Sequence, residues 1–547
     1  MSETVAQLIA KEVANQSVNS IFTLSGGHIF PLLDTFHKSG LQIIDVRHEQ
    51  SAAFAAEAVG KLTRKPGVAL VTAGPGVTNT ISAVVASFKH GSPMVLLAGC
   101  APLSRWGQGS LQELDHLSIV KNITVYNHSL TNPQQALETL REAFELAKRP
   151  PRGPSFIDYP LDKLISQANP NEINNFKEKI NNQIENQSQL NLNAVDAILK
   201  ELQNSERPLI VAGSGIYFSD AYKSLENIAN FYQIPVVLNG IARGCISNKQ
   251  LLVAFARSQT IKNADLILVA GTPLDFRLNF GKVANSQRLI HLIEHESQIN
   301  PFANTYLTQV LNLKEFFESW LENVKSSDKN RYYNWMSSVI NDEKLQKQTV
   351  YELAQSKPRL NSAQIYIKVN EVLNQNSIVI GDGGDFVSWA GKIIETHAPG
   401  SWIDSGPFGC LGSGLGYAIG AKTTHPQKDV FLFLGDGAIG FSLTEIDTCV
   451  RHNLGIIAIV GNNGIWGLEK HPMKTFFGYD IAADLSQDTN YVEIARSFGA
   501  EGQTVTNIKE FAQALDKAIK QARQGKFFLI NALIDPDDVY PRSSNLA

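Results

Sequence analysis

GDGAIGFSLTEIDTCVRHNLGIIAIVGNNGIWG, residues 435–467, is the stretch on which the architecture turns. It is entered from one apolar run, VFLFL, and encloses a second, IIAIV. Short runs of this kind, bounded by turn residues, fit strands buried on both faces of a parallel sheet. Between them Phe441, Leu443, Ile446 and Val450 recur near helical spacing. The stretch therefore reads as strand, helix, strand, with the two carboxyl ends side by side. Asp436 stands at the first tip and Asn463, 27 residues on, at the second. A carboxylate and an amide oxygen facing one point make part of an octahedral Mg²⁺ shell, which takes hard oxygen donors, phosphates and water. Gly435, Gly437 and Gly440 let the backbone approach a diphosphate, whose charge a helix N-terminus favours. The plain alternative is a strand-to-helix turn without metal. A lone GDG leaves that open; GDG and NN at this spacing, each after a strand, argue against it.

The same pattern recurs outward from this stretch. The chain has 547 residues, which on size alone implies about three domains. The first block, 1–165, contains the strand candidates IFTLSG, IIDVRHE, GVALVTAG, PMVLLAG and PSFIDYP. The second, 190–325, contains RPLIVAGSG, IPVVLN, ADLILVAGTP and RLIHLIE. The third, 358–535, contains SIVIGDGG, DVFLFLGDG, IIAIVGNN and KFFLINALI. Apolar runs alternating with helical patterns predict three α/β domains, each a doubly wound parallel sheet. Polar stretches separate them: SQANPNEINNFKEKINNQIENQSQLN reads as a linker, and a second runs from Lys325 to Pro358. Gly-rich turns follow strands in all three blocks, where open parallel sheets bind ligands. The first and third blocks could be copies of one fold, which the sequence alone does not show.

Composition is that of an ordinary globular protein, 43% hydrophobic and 18% charged. A net charge of −4 speaks against nucleic-acid binding, which needs a basic excess. Acidic substrates must then be held by local dipoles or a metal. Cys100, Cys245, Cys410 and Cys449 show no CxxC spacing, so a reducing cytoplasm is expected. MSETVAQLIAKEVANQSV reads as an amphipathic helix on Val5, Leu8, Ile9 and Val13, not as a signal peptide. No run approaches the roughly 18 apolar residues of a membrane span. A soluble cytoplasmic protein is expected.

The 435–467 stretch resembles the signature of thiamine diphosphate enzymes. The resemblance covers nearly the whole chain, in the order pyrimidine-binding, central Rossmann-like and diphosphate-binding domain. It is nearest to acetolactate synthases of the large catalytic subunit type, with 2-hydroxyacyl-CoA lyases and oxalyl-CoA decarboxylases as close cousins. It implies Mg²⁺ held by the side chains of Asp436 and Asn463 and the carbonyl of Ile465, with Gly435, Gly437 and Ala438 at the diphosphate. In VRHEQSAAFAAEAVGKLT it implies that Glu49 pairs with the aminopyrimidine ring; the alternative is a solvated Glu at a helix start. VTAGPGVTN brings Gly74, Pro75 and Asn79 to the cofactor, unless Asn79 only caps a helix. GPFGCLGSGLGYAIGA aligns Leu411 with the apolar residue that props the cofactor into its bent form, with Gly409 and Gly412 beside it. In GDGGDFVSWA, Gly383 and Gly384 suit the loop that approaches the diphosphate. Arg277 of GTPLDFRLNFG suits a flavin or an adenine nucleotide in the central domain.

The substrate is less well marked. WGQGSLQELDH is similar to the substrate loop of acetolactate synthases, with Leu111 where Phe is usual; Gln112 could bond an intermediate or be a surface residue. YPLDK places Leu161 where a Lys is usual, and the tail PRSSNLA is similar to that of the lyases. WGLEKHPM puts Leu468, Glu469, Lys470 and His471 where apolar residues are usual; Glu469 and Lys470 could contact an acceptor or form a solvated pair. The resemblance implies decarboxylation of a 2-oxo acid such as pyruvate and condensation with a second. The alternatives are a C–C lyase acting on an acyl-CoA and a scaffold that binds cofactor without catalysis. In this family the two ends of the cofactor are held by different chains, which implies a homodimer or homotetramer. Flavin occupancy, a regulatory subunit, and service in branched-chain amino-acid biosynthesis or one-carbon degradation stay open.

Overall fold

A computed structural model describes residues 3–168, 192–283 and 287–540. Most of the expected linker, and the tail PRSSNLA, lie outside the described residues. Among the described residues nineteen strands form three parallel sheets and one clasp. The clasp pairs β1 (Glu3–Thr4) antiparallel with β8 (Gln167–Ala168), tying the two ends of the first block together.

The first sheet contains β2 (Ser20–Thr23), β3 (Gln42–Asp45), β4 (Gly67–Val71), β5 (Met94–Cys100), β6 (Tyr126–Ser129) and β7 (Pro154–Pro160) in the order β3-β2-β4-β5-β7-β6. The central sheet orders β9 (Pro208–Ala212), β10 (Val236–Leu238), β11 (Leu266–Ala270), β12 (Arg288–Ile293) and β13 (Leu307–Val310) as β10-β9-β11-β12-β13. The third contains β14 (Ser377–Asp382), β15 (Trp402–Asp404), β16 (Asp429–Gly435), β17 (Ile456–Asn462), β18 (Glu501–Val505) and β19 (Phe528–Leu533) in the order β15-β14-β16-β17-β19-β18. Counted from its own first strand, the third sheet repeats the order of the first. The two blocks thus share one topology. In all three sheets the order reverses between the first and third strands, and glycine turns leave there: Gly26-Gly27, Gly213 and Gly383-Gly384. These are the crevices in which such sheets take ligands.

Two helices carry much of the contact between the blocks. Helix Glu49–Thr63 of the first block packs along helix Ser413–Thr424 of the third. The approach depends on glycine: a Cβ at Gly420 would lie 2.2 Å from the Ala55 carbonyl oxygen, and one at Gly416 2.7 Å from the Phe54 Cβ. The second contact is made by the polar stretch between the central and third blocks. The polar stretch after Lys325 contains the 24-residue helix Tyr333–Ser356. Its Trp335, Met336 and Val339 enter the central core, while Val350 and Ala354 enter that of the third block. The 441–450 segment differs too. A one-turn helix, Asp436–Ile439, follows β16, and the next helix starts only at Glu445. Phe441 is 64% exposed, outside the helical face expected for it. The N-terminal helix forms at Val5–Asn15, with Val5, Leu8, Ile9 and Val13 buried.

Candidate active site

The tips of β16 and β17 lie side by side, with Gly435 opposite Gly461. Asp436 begins the turn after β16, and Asn463 follows the end of β17. Both line one cavity of about 150 Å³, shared with Gly384, Gly409, Leu411, Gly435, Gly437, Ala438 and Ile465. The fold thus gathers almost all of the residues expected around a diphosphate and its metal. Gly383 lies just behind: at φ +59° it adopts a conformation that disfavours side chains, and a Cβ there would sit 2.0 Å from Leu411 Cδ2. Leu411 is therefore seated over a glycine that nothing larger can replace. Gly437 is covered by the Trp466 ring, 2.3 Å from where its Cβ would be.

The electrostatics of this cavity suit a cation. Asp436 is buried, and desolvation raises its pKa from 3.8 to about 6. Its Oδ2 accepts the Gly464 N–H at 2.8 Å, and the groups acting on it are backbone donors, not cationic side chains. Asn463 Oδ1 accepts the Ile465 N–H at 3.2 Å, which leaves it a second lone pair. A buried carboxylate, an amide oxygen and a nearby backbone carbonyl are the hard donors that Mg²⁺ takes. Asp382, at the end of β14, was not singled out from the sequence. It is fully buried, its pKa is raised to about 7 by desolvation, and it accepts the N–H groups of Gly412 at 3.1 Å and Gly414 at 2.8 Å. It thereby holds the loop that carries Leu411. The Asp in GDGG was the available signal.

At the carboxyl end of the first sheet lies a second group. Glu49 opens helix Glu49–Thr63, and His48 caps it by accepting the Gln50 N–H on Nδ1. The Glu49 carboxylate is buried and accepts the Asn79 side-chain N–H at 2.9 Å. Asn79 does end the short helix Pro75–Thr78, and its side chain reaches Glu49 as well. Gly74 precedes that helix at φ +56°, and Gln112 lies against it. Glu445 of the third block, missed in the sequence, accepts the N–H groups of Arg47 at 3.1 Å and His48 at 3.0 Å. It anchors the turn that presents Glu49 across a separation of 398 residues, which no local pattern could show. None of Glu49, Asn79 or Gln112 lines the Asp436 cavity.

Three other groups of side chains depart from expectation or invite a different reading. Glu469 and Lys470 do not pair; Lys470 is bonded to Asp484 and lies 3.3 Å from Asp480. Arg277 is pinned to Asp275 at 2.6 Å, yet still lines the cleft between the central and third blocks. Cys100, His116 and Asp158 are close enough to suggest a metal site. Both His116 nitrogens are engaged, however, Nδ1 with Asp158 at 3.0 Å and Nε2 with the Gly74 N–H at 3.0 Å. Burial, helped by Asp158, pushes the Cys100 thiol up to about 12. This group supports the Gly74 turn.

Three family models match the chain. The N-terminal TPP binding domain of thiamine pyrophosphate enzymes matches residues 3–119, the central domain 195–318 and the C-terminal TPP binding domain 382–532. The chain belongs to the thiamine pyrophosphate enzyme family, and its sheets are the three domains of that family. Within it the chain is acetolactate synthase-like. It is 37% identical to the acetolactate synthase large subunit IlvG of Mycobacterium tuberculosis, over 99% of this chain and 97% of the relative. It is 32% identical to 2-hydroxyacyl-CoA lyase 2 of Danio rerio, over 96% of this chain and 91% of that one. Among the described residues no helix is long and apolar enough to cross a membrane.

Proposed function

We propose that the chain is a Mg²⁺- and thiamine diphosphate-dependent carboligase that decarboxylates a 2-oxo acid such as pyruvate and joins the remaining acyl unit to a second 2-oxo acid. The observation that supports this best is the meeting of Asp436, Asn463 and Ile465 at one glycine-walled cavity, in a chain that aligns end to end with an acetolactate synthase. Thiamine diphosphate supplies the electron sink for carbon–carbon bond cleavage. Asp436, Asn463 and the Ile465 carbonyl would hold Mg²⁺, and Gly383, Gly384, Gly409, Gly435, Gly437 and Ala438 would admit the diphosphate. Leu411, fixed over Gly383, would set the bend of the cofactor. Glu49, oriented by Asn79, would hold a proton at the aminopyrimidine ring. Gly74 and Pro75 would shape the wall beside it, and Gln112 would meet the substrate.

Since Glu49 does not line the Asp436 cavity, a complete site is best supplied by two copies of the chain. Leu111, Phe441 and Phe477, which are 78%, 64% and 64% exposed, project from the segments that carry or flank the two groups. Apolar surface of that kind suits a homodimer or a dimer of dimers. Four free cysteines suit a cytoplasmic setting. A cavity of about 920 Å³ between the central and third blocks is lined by Arg243, Arg257 and Arg277. Burial and the two neighbouring arginines lower the Arg257 pKa to about 10. Crowded guanidinium groups suit a phosphate-bearing flavin or adenine nucleotide. They also favour a second reading, cleavage of a 2-hydroxyacyl-CoA, as does Leu161 at the start of helix Leu161–Leu164.

The test incubates the protein with thiamine diphosphate, Mg²⁺ and pyruvate, with and without FAD, beside a Glu49→Gln control. Acetolactate that disappears in the control is the expected result. Release of an aldehyde and formyl-CoA from a 2-hydroxyacyl-CoA, with pyruvate untouched, would replace the carboligase by the lyase.

A further inference from the structure

The turn Gly26-Gly27-His28 leaves β2 beside the turn Thr72–Gly74 that leaves β4, where the strand order of the first sheet reverses. None of the roles above uses His28. Its imidazole is buried, and its Cβ lies so close to β5 that a Cβ on Gly99 would come within 2.5 Å of it. His28 Nδ1 lies 3.4 Å from Thr72 Oγ1, and Thr72 Oγ1 donates to Gln112 Oε1 at 3.3 Å. The ring also bonds the Leu111 backbone, and burial lowers its pKa from 6.5, so it is neutral at neutral pH.

The direction of this chain of bonds has a consequence. Thr72 has one proton and gives it to the Gln112 carboxamide oxygen. His28, which faces Thr72 Oγ1 and also bonds the Gln112 side chain, closes the other side of the same oxygen. With its oxygen flanked by both Thr72 and His28, Gln112 is left with its NH₂ group to offer a ligand. Gln112 itself stands at φ +59°, in the left-handed region, a conformation that persists only where the surroundings impose it. Two chains impose it. One is His28 to Thr72 to Gln112. The other is Asp158 to His116 to the Gly74 N–H, and a Cβ on Gly74 would lie 2.9 Å from the Gln112 Cβ.

We propose that His28 is a positioning residue which, through Thr72, holds the Gln112 carboxamide with its NH₂ group outward, and that this donor selects the second carbonyl substrate by bonding its carbonyl or carboxylate oxygen. The inference rests on the carboligase reading. A rigid N–H donor aimed at an oxygen that gains charge as the new bond forms favours that step over others.

The test compares the parent with His28→Ala, Thr72→Val and the conservative His28→Gln, each full length with thiamine diphosphate and Mg²⁺. Carbon dioxide release from pyruvate reports the first step, and the KM for 2-oxobutyrate as acceptor reports the second. His28→Ala and Thr72→Val should raise the acceptor KM by about tenfold and lower carbon dioxide release by a smaller factor. His28→Gln should recover part of the acceptor affinity. Hydrogen exchange of residues 106–113 gives a readout that needs no turnover. It should quicken in His28→Ala and Thr72→Val, with residues 75–79 unchanged. An unaltered acceptor KM with unaltered exchange overturns the proposal, as does a proportional fall of both steps together with cofactor affinity. A parent inactive on both 2-oxo acids and 2-hydroxyacyl-CoA defeats the carboligase reading and the acceptor role with it, while exchange still decides whether His28 braces Gln112.

Discussion

Two buried carboxylate neighbourhoods in this chain are solved in opposite ways. Glu57, between the first and third blocks, is fully buried and meets Lys61 at 3.0 Å, His90 at 2.6 Å and the Tyr417 hydroxyl at 2.8 Å. Although burial alone would raise it, the charge of Lys61 and His90 carries its pKa down from 4.5 to about 2. Asp436 is buried to a similar degree, yet the chain gives it only backbone donors, and its pKa moves up to about 6. Where the protein needs a structural joint it brings its own cations. At Asp436 it leaves a buried carboxylate without a cation of its own, as the proposed Mg²⁺ site would require.

The sharpest way to break that contrast is Asp436→Ala. Mg²⁺-supported binding of thiamine diphosphate, read by titration calorimetry, should weaken by at least about 100-fold, since even residues behind a metal ligand matter at that level. The ligand-free protein should unfold no earlier, because a desolvated carboxylate has been removed. Glu57→Gln should do the reverse. It leaves the Lys61 charge buried without its partner and should lower stability by about 3–5 kcal/mol in chemical denaturation. Cofactor affinity should hardly move; a large drop would mean that the joint and the site are not separate.

Acid should separate the two neighbourhoods by sign. Glu57, with its folded pKa below the usual 4.5, adds stability that is present above about pH 4.5 and lost as pH falls toward 2. Asp436 has the opposite sign: as pH rises from 3.8 to about 6 the unfolded chain releases this proton before the folded one, which subtracts stability, and a bound cation would offset that loss. The rise in unfolding temperature on adding Mg²⁺ and thiamine diphosphate should therefore be large at neutral pH. It should shrink below pH 6, with Mg²⁺ affinity falling roughly tenfold per pH unit. The smallest effect belongs to Arg451, whose exposed side chain pairs with Asp45 across the same boundary as Glu57. Arg451→Ala should change stability by less than about 1 kcal/mol.

What could be read in the sequence follows burial. Every inner strand of the three sheets has a strand candidate behind it, because a strand flanked on both sides is apolar on both faces. In those sheets the missed strands are edges: β6 (YNHS), β13 (LTQV), β15 (WID) and β18 (EGQTV). Each has one neighbour, is short, or alternates with polar residues, and so lacks the signal that a buried run carries. The candidate residues divide in the same way. Asp436, Asn463 and Leu411 sit in local motifs and come together in one cavity. Glu445 reaches a turn 398 residues away, Asp382 a loop 30 residues on and His28 a turn 44 residues on, and a carboxylate or imidazole says nothing in sequence about a partner outside its own motif. Helix Tyr333–Ser356 was hidden for a related reason. Its few buried side chains are split between two cores, so neither half makes a continuous apolar stripe.

That helix also acts as a strut. One end is seated in the central core and the other in the third, and on the way it contributes Glu343 and Lys347 to the wall of the arginine-lined cavity. A loop at this position would be a hinge, and the two walls could swing apart to admit guests of different length. A continuous rod resists that swing. The slot therefore has a gauge fixed by the covalent spacing of one helix, and the nucleotide proposed for it would have to match that gauge.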